Sequence, residues 1–329
     1  MSSTAQSTPD SAPPQPQVQP LKHVFKEVDG LQIAFDVYLA PSATKERPSP
    51  VLIWWHGGGL LQGSRSSLPP HLLAAPTRHG LTVISADYRL APQTRLPEIV
   101  ADCRDALACV LSPSFDSLVT GRVDTSKVFL SGSSAGGWLS LLVSSSLAFE
   151  KMGIPLVPGA KEKVRGTIPI YPISDITQPF WRTRQRPVSY LGGRVIDGPR
   201  ELGEFLDPHA PQVANSAPDS KRSSFYHYMI QEALLEELLL TGTGLKGEDV
   251  AIAQGLNEGS ITSMPPTLIF HGTADDKVPF SQAQSVADAL RARDFHVEFV
   301  VEEGKDHLYD QDPKEEMKEM YEFVKRLAG

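Results

Sequence analysis

Ser134 stands in the pentapeptide Gly132-Ser133-Ser134-Ala135-Gly136, between an apolar stretch at 128–130 and a run of helix formers. A G-x-S-x-G segment in that context predicts a sharp strand-to-helix turn with the serine hydroxyl at its apex. The flanking glycines are small because neighbouring backbone packs close. A serine hydroxyl attacks a carbonyl only with a base beside it. Of the nine histidines, His307 is the best placed, directly after the last predicted strand and the polar run 302–306. A base needs a carboxylate to fix its tautomer and to steady the imidazolium. Asp275, in His271-Gly272-Thr273-Ala274-Asp275-Asp276-Lys277-Val278-Pro279, is the expected acid, and Asp276 is its rival. Attack on a carbonyl places negative charge on oxygen, which needs preorganised donors. His56-Gly57-Gly58-Gly59 supplies backbone N–H groups unobstructed by Cβ atoms. The oxyanion hole is assigned to Gly58, Gly59 and Ala135, with Gly57 as the alternative donor. His56 is expected to hold that loop by hydrogen bonding, and not to act as the base.

These residues can meet only if strands deliver them to one edge of a sheet. Short apolar segments predict strands at 23–28, 31–39, 51–55, 81–86, 128–130, 164–170, 267–270 and 296–301. Asp29-Gly30, between the first two, is a hairpin signal. Helices are predicted at 96–111, where apolar residues recur at a 3.6-residue period, and at 282–293 and 313–327. A hairpin followed by repeated strand–helix units predicts a mostly parallel sheet covered on both faces. Residues 174–262 break the rhythm, and a single helix is expected at 225–240 within them.

Composition narrows the function classes. The chain has 329 residues, 40% of them hydrophobic, and a net charge of −8. That charge argues against a nucleic-acid partner, which calls for a basic surface. Cys103 and Cys109 are the two cysteines and are expected as free, partly buried thiols in one helix. Residues 1–21 are rich in Pro, Ser and Gln, with too little apolar surface to offset chain entropy, and are expected to be a disordered tail. No secretory signal and no membrane-spanning apolar run are found, so a cytoplasmic protein is expected.

Taken together, His56-Gly57-Gly58-Gly59, Asp87-Tyr88-Arg89-Leu90-Ala91-Pro92, the glycine-serine turn, the 271–279 segment and Asp306-His307 resemble the hormone-sensitive-lipase-like branch of the α/β-hydrolase superfamily. The resemblance runs from about residue 22 to the C-terminus. It implies an α/β-hydrolase fold: a mostly parallel eight-stranded sheet, helices on both faces and an inserted cap at 174–262. Residues 22–173 and 263–329 then form the catalytic domain. The order Ser134, Asp275, His307 is the order of that superfamily. The resemblance further implies a carboxylesterase that forms an acyl-enzyme on small or medium apolar esters. It implies no metal and no organic cofactor, a small-molecule ester as partner, no membrane, and a monomer or homodimer. Arg89 is implied to brace loops near the site. An amidase, peptidase, lactonase or acyltransferase would use the same triad, and a hormone-receptor-like binder would share the fold without the chemistry. Two departures from the family pattern stand out: Ser133 replaces an acidic residue, and Gln93 a glutamate. The compact frame is similar to fungal members that serve natural-product pathways. Phe180, Trp181, Tyr190, Phe205, Tyr226 and Tyr228 of the insertion, with Trp55 and Leu60, are candidates for the pocket wall.

Overall fold

The computed structural model describes residues 18–217 and 219–329. Most of the expected tail, residues 1–17, lies outside the described residues, and Leu21 already opens the first strand. The eight strands are β1 (Leu21–Val28), β2 (Leu31–Tyr38), β3 (Ser49–Trp55), β4 (Thr82–Ala86), β5 (Val123–Ser133), β6 (Val164–Ile170), β7 (Thr267–Gly272) and β8 (Val297–Glu302). They form one sheet in the order β1-β2-β4-β3-β5-β6-β7-β8. β2 runs antiparallel to both neighbours, and every pairing from β4 to β8 is parallel. Asp29 (φ 50°) and Gly30 (φ 81°) make the β1–β2 turn that the dipeptide predicted.

β4 consists wholly of buried residues, and Val51–Trp55 of β3 is likewise buried on both sheet faces. That is why these strands read as continuous apolar runs and not as alternations. Helices cover both sides. Leu96–Val110 buries Leu96, Ile99, Val100, Cys103, Ala106, Leu107 and Val110 against the face that also carries Ala135–Ser145 and Ser281–Ala292. Pro70–Arg78 and Lys318–Ala328 cover the other face, with Leu72, Ala75, Phe323 and Val324 in its core. Cys103 is buried and Cys109 half-buried, both as free thiols. No helix among the described residues is long and apolar enough to cross a membrane.

The register places the chemistry. From β3 the chain steps to β4 on one side, then crosses back to β5 on the other. Trp55 lies opposite Gly132, Ser133 opposite Ile170, and Gly272 opposite Glu302. The strands therefore end level, and the segments after β3, β5, β6, β7 and β8 emerge at one carboxyl edge. The crevice where the strand order reverses, between β3 and β5, is where open parallel sheets bind ligands.

Two helix predictions need correction. The segment 225–240 is two helices, Phe225–Glu232 and Leu235–Leu240, broken where Ala233 adopts φ 58° and Leu234 N–H returns to the Met229 carbonyl. The buried stripe Phe225, Tyr226, Met229, Ile230 gives way to a second stripe through Leu235, Leu238 and Leu239. An uninterrupted helix would have to present both to one surface. The last helix begins at Lys318 and not at 313, because Met317 takes φ 47° just before it.

Among the described residues, the long connection between β6 and β7 forms helices and loops but no strand. Its core is continuous with that of the sheet, through Trp181, Val188, Phe225 and Leu239 among others. Buried Arg222 fastens it to the loops after β3 and β4, donating to the carbonyls of Leu61 (2.6 Å) and Ala91 (2.7 Å) and to Gln93 Oε1 (2.9 Å). Gln93 in turn donates through Nε2 to the carbonyls of Phe205 and Asp207. A glutamate could accept from Arg222 but could not make those two donations. The departure at position 93 thus has a local use. Arg89 holds Asp102 through Nε (2.8 Å) and Nη2 (2.9 Å) and reaches Gln212 of the insertion, the bracing role expected of it.

Candidate active site

β5 runs without interruption into the helix Ala135–Ser145, and Ser134 carries the whole change of direction. Its backbone sits at φ 58° and ψ −119°, a conformation that costs an ordinary residue of order 1–3 kcal/mol and persists where surrounding contacts impose it. Its N–H donates to the Ile170 carbonyl at 2.9 Å. A Cβ on Gly132 would collide with the backbone of Gly136, and one on Gly136 with the Trp55 carbonyl. Both glycines are therefore required by close approach. Ser134 is only 2% exposed, at the positive end of a helix dipole.

The loop after β3 lies beside it: a Cβ on Gly57 would come within 3.0 Å of Ser134 Cβ. Gly58 (φ 102°) and Gly59 (φ 66°) take backbone conformations that side chains disfavour. The N–H groups of Gly58, Gly59 and Ala135 donate to no acceptor among the described residues, so all remain available to an oxyanion. His56 stacks on Tyr88 at 4.2 Å and points Nδ1 to the Gly57 carbonyl at 2.8 Å. Burial lowers its pKa, and it stays in the loop as a structural group.

Asp275 and His307 meet directly, Nδ1 to Oδ2, at 2.7 Å. The carboxylate accepts only, so Nδ1 carries the proton and Nε2 keeps its lone pair. Asp275 Oδ1 takes the N–H groups of Lys277 and Val278, each at 2.9 Å. His271 Nε2 stands 3.2 Å from Oδ2 and 3.0 Å from the Val278 carbonyl. Burial alone would raise the Asp275 pKa, but the bonds from His271 and His307 and the backbone outweigh it and hold the carboxyl well below the usual range. The rival, Asp276, faces solvent and pairs with Lys277, which also reaches Asp306 at 3.3 Å.

No hydrogen bond joins Ser134 to His307 among the described residues; Tyr171 lies between their elements. Its ring packs 4.4 Å from the His307 ring, and its chain neighbour Ile170 receives the Ser134 N–H. Tyr171, at φ 35°, was not anticipated, nor was His271, nor the buried carboxyl of Asp310, which bonds Tyr171 and Ser133. His271 was visible only as part of a motif. The partners of Asp310 lie at 133 and 171, at no helix or strand period. Among the pocket candidates, Tyr226 overlies the glycine loop, close enough that a Cβ on Gly59 would touch its ring at 2.7 Å, and its hydroxyl donates to the Lys277 carbonyl at 2.9 Å. Tyr190 packs beneath the Lys277 ammonium at 4.7 Å. Trp181 packs edge-on against Phe180, Phe205 lies under Arg222, Tyr228 packs over Gly198, and Trp55 and Leu60 are wholly buried. A cavity of about 590 Å³, lined by residues such as Arg104, Phe149, Lys161 and Met264, lies away from all of these groups.

Known proteins carry the same architecture. The signature of a family described as having the α/β-hydrolase fold matches residues 52–196, and that of the prolyl oligopeptidase family matches residues 240–329. The fold of this chain is thus the α/β-hydrolase fold. Esterase 2 of Thermogutta terrifontis, solved as its tabun adduct, superposes with a TM-score of 0.62 at 19% identity, covering 94% of each chain. An α/β-hydrolase superfamily protein of Enterococcus faecalis gives 0.66 at 20% identity, covering 94% of this chain and 98% of that one. Among curated proteins, the non-reducing polyketide synthase pkbA of Emericella nidulans is 26% identical over 87% of this chain and 13% of its own length. The synthase ausA of Aspergillus calidoustus is 27% identical over 96% of this chain and 14% of its own. This chain thus spans about a seventh of the curated relatives it matches.

Proposed function

We propose that the protein is a serine hydrolase that cleaves carboxylic esters through an acyl-enzyme. The observation that carries this reading is the 2.7 Å His307–Asp275 bond, at the same sheet edge as the strained Ser134 and the free N–H groups of the glycine loop. Ser134 Oγ attacks the ester carbonyl as its proton passes to His307 Nε2. Asp275 keeps the Nδ1 proton in place and stabilises the imidazolium. Gly58, Gly59 and Ala135 receive the oxyanion; losing one such donor typically costs about 3 kcal/mol of transition-state stabilisation. His307 then returns the proton to the leaving alcohol, and a water deprotonated by the same nitrogen releases the acid. In this reading 174–262 caps the site, with Tyr226 on its floor side, and the protein is cytoplasmic with a small-molecule ester as its partner.

A second reading is hydrolysis or transfer of an acyl chain held as a thioester. Its support is the pair of polyketide synthases that align over most of this chain. Both readings share one test. Wild type and Ser134→Ala are assayed on p-nitrophenyl esters, on matched N-acetylcysteamine thioesters and on anilides. The variant is expected to lose at least about 10⁴-fold in kcat on any accepted substrate. Wild-type turnover by Ser134→Ala would end both readings. A preference for thioester over ester would select the second.

A further inference from the structure

Asp310 is a fully buried carboxyl that the proposed chemistry does not use. It follows His307 by three residues, across a turn in which Leu308 adopts φ 63°, and it is fully shielded from solvent. Oδ2 accepts from Ser133 Oγ at 3.2 Å, and Oδ1 accepts from the Tyr171 hydroxyl. Ser133 is itself pinned, receiving the Trp54 indole N–H at 3.3 Å. Among the described residues no lysine or arginine pairs with it. His71 Nε2, the nearest imidazole nitrogen, lies 4.0 Å from Oδ2 with no hydrogen-bond partner. The Tyr321 hydroxyl donates to the His71 carbonyl and takes His71 Nδ1 as its other partner at 2.8 Å, which leaves Nε2 with a lone pair facing the carboxyl. Burial holds the His71 pKa down at about 3, so that ring stays neutral. The other titratable groups facing Asp310 are Tyr171, Tyr309 and, through space, His307.

A buried carboxyl with hydroxyl donors and no counter-ion is costly as a purely structural device. Its two partners have a common feature. Ser133 is the chain neighbour of Ser134, and Tyr171 is the residue whose ring rests on His307. We propose that Asp310 is a positioning residue for the candidate site, its carboxylate tying the serine turn and the His307 loop into one geometry. The inference rests on the proposed roles of Ser134 and His307.

The geometry makes the proton on Asp310 matter. As an anion it accepts both hydroxyls. Once protonated it gains a donor that the His71 Nε2 lone pair faces, and its hold on the two hydroxyls weakens with the loss of charge. Burial raises its pKa to about 6, against the pull of the Tyr171 and Ser133 bonds, so the change of state falls near neutral pH.

The test uses the full chain as wild type, Asp310→Asn, Ser133→Ala and Tyr171→Phe. Ser134 labelling by a fluorophosphonate and p-nitrophenyl ester kinetics are followed from about pH 4.5 to about pH 9, with a thermal melt of each variant. Asp310→Asn is expected to melt as a folded protein, to lose about tenfold in kcat with KM within about twofold, and to lose the part of the acid limb that lies near pH 6. Ser133→Ala and Tyr171→Phe each lose one of the two bonds and should show the same changes at smaller size. Wild-type kcat and an unchanged acid limb in Asp310→Asn would overturn the proposal. If that variant does not fold, the same unchanged result in both hydroxyl variants overturns it. Failure of the probe to label Ser134 in the wild type sinks the functional reading and this inference with it, whereas labelling that ignores Asp310 sinks this inference alone.

Discussion

Two buried carboxyls flank His307, and they titrate in opposite directions. Asp275 and Asp310 each have a fully buried side chain. Asp275 receives two backbone N–H groups and stands within reach of two imidazole nitrogens. Its pKa is held well below the ordinary range by His271, His307 and the backbone, against burial. Asp310 receives two hydroxyls and, among the described residues, pairs with no lysine or arginine, and burial raises it to about 6. Depth in the protein therefore does not decide charge. The number and kind of donors do, because each hydrogen bond to the anion offsets part of the lost hydration. One carboxyl is built to remain ionised and hold a proton on its neighbour; the other can change state within the physiological range.

The comparison breaks first at Asp275. Asp275→Asn puts an amide where only an acceptor serves, so that His307 can settle in the wrong tautomer. A fall in kcat of about 10⁴ is expected in steady-state ester kinetics. A loss under about tenfold would mean that the carboxylate is not what orients His307.

Stability against pH sharpens the contrast. Asp275, depressed in the folded state, contributes stability that is present above the ordinary carboxylate range and lost as pH falls through its low folded value. Asp310 has the opposite sign. Its folded pKa is raised from 3.8 to about 6, so its stabilising contribution is complete below about pH 4 and disappears as pH rises to about 6. Relative to wild type, Asp310→Asn should gain roughly 3 kcal/mol between pH 4 and pH 7, read from urea unfolding at each pH. A difference that stays flat over that interval would show that Asp310 titrates normally.

His271 gives the smallest effect. His271→Gln weakens one of the imidazole contacts to Asp275, and a several-fold loss of kcat with about 1 kcal/mol of destabilisation is expected. If the melt falls while kcat holds, His271 supports the loop and leaves the acid's orientation to His307 and the backbone.

The sequence already carried most of the frame. All eight strands lie where short apolar runs predicted them, within a few residues except for the early start of β5; in β4 and β7 every residue is buried, which leaves a largely apolar run. Ser134, Asp275 and His307 were proposed from the sequence for a different reason: each follows closely after a strand, where the chain turns at one sheet edge. The helix at 225–240 was misread because its periodicity continues through Ala233 while its buried face does not.

What the amino-acid order determined is local: which segments become strands, where glycine must stand, and which side chains are fit for the chemistry. Only the tertiary structure placed Asp275, and not Asp276, against His307, set His271 beside it, and brought Ser133, Tyr171 and His71 around Asp310. Those choices depend on strand register and on loops that meet at a shared edge. Contacts between residues more than a hundred positions apart leave no period for a sequence to display.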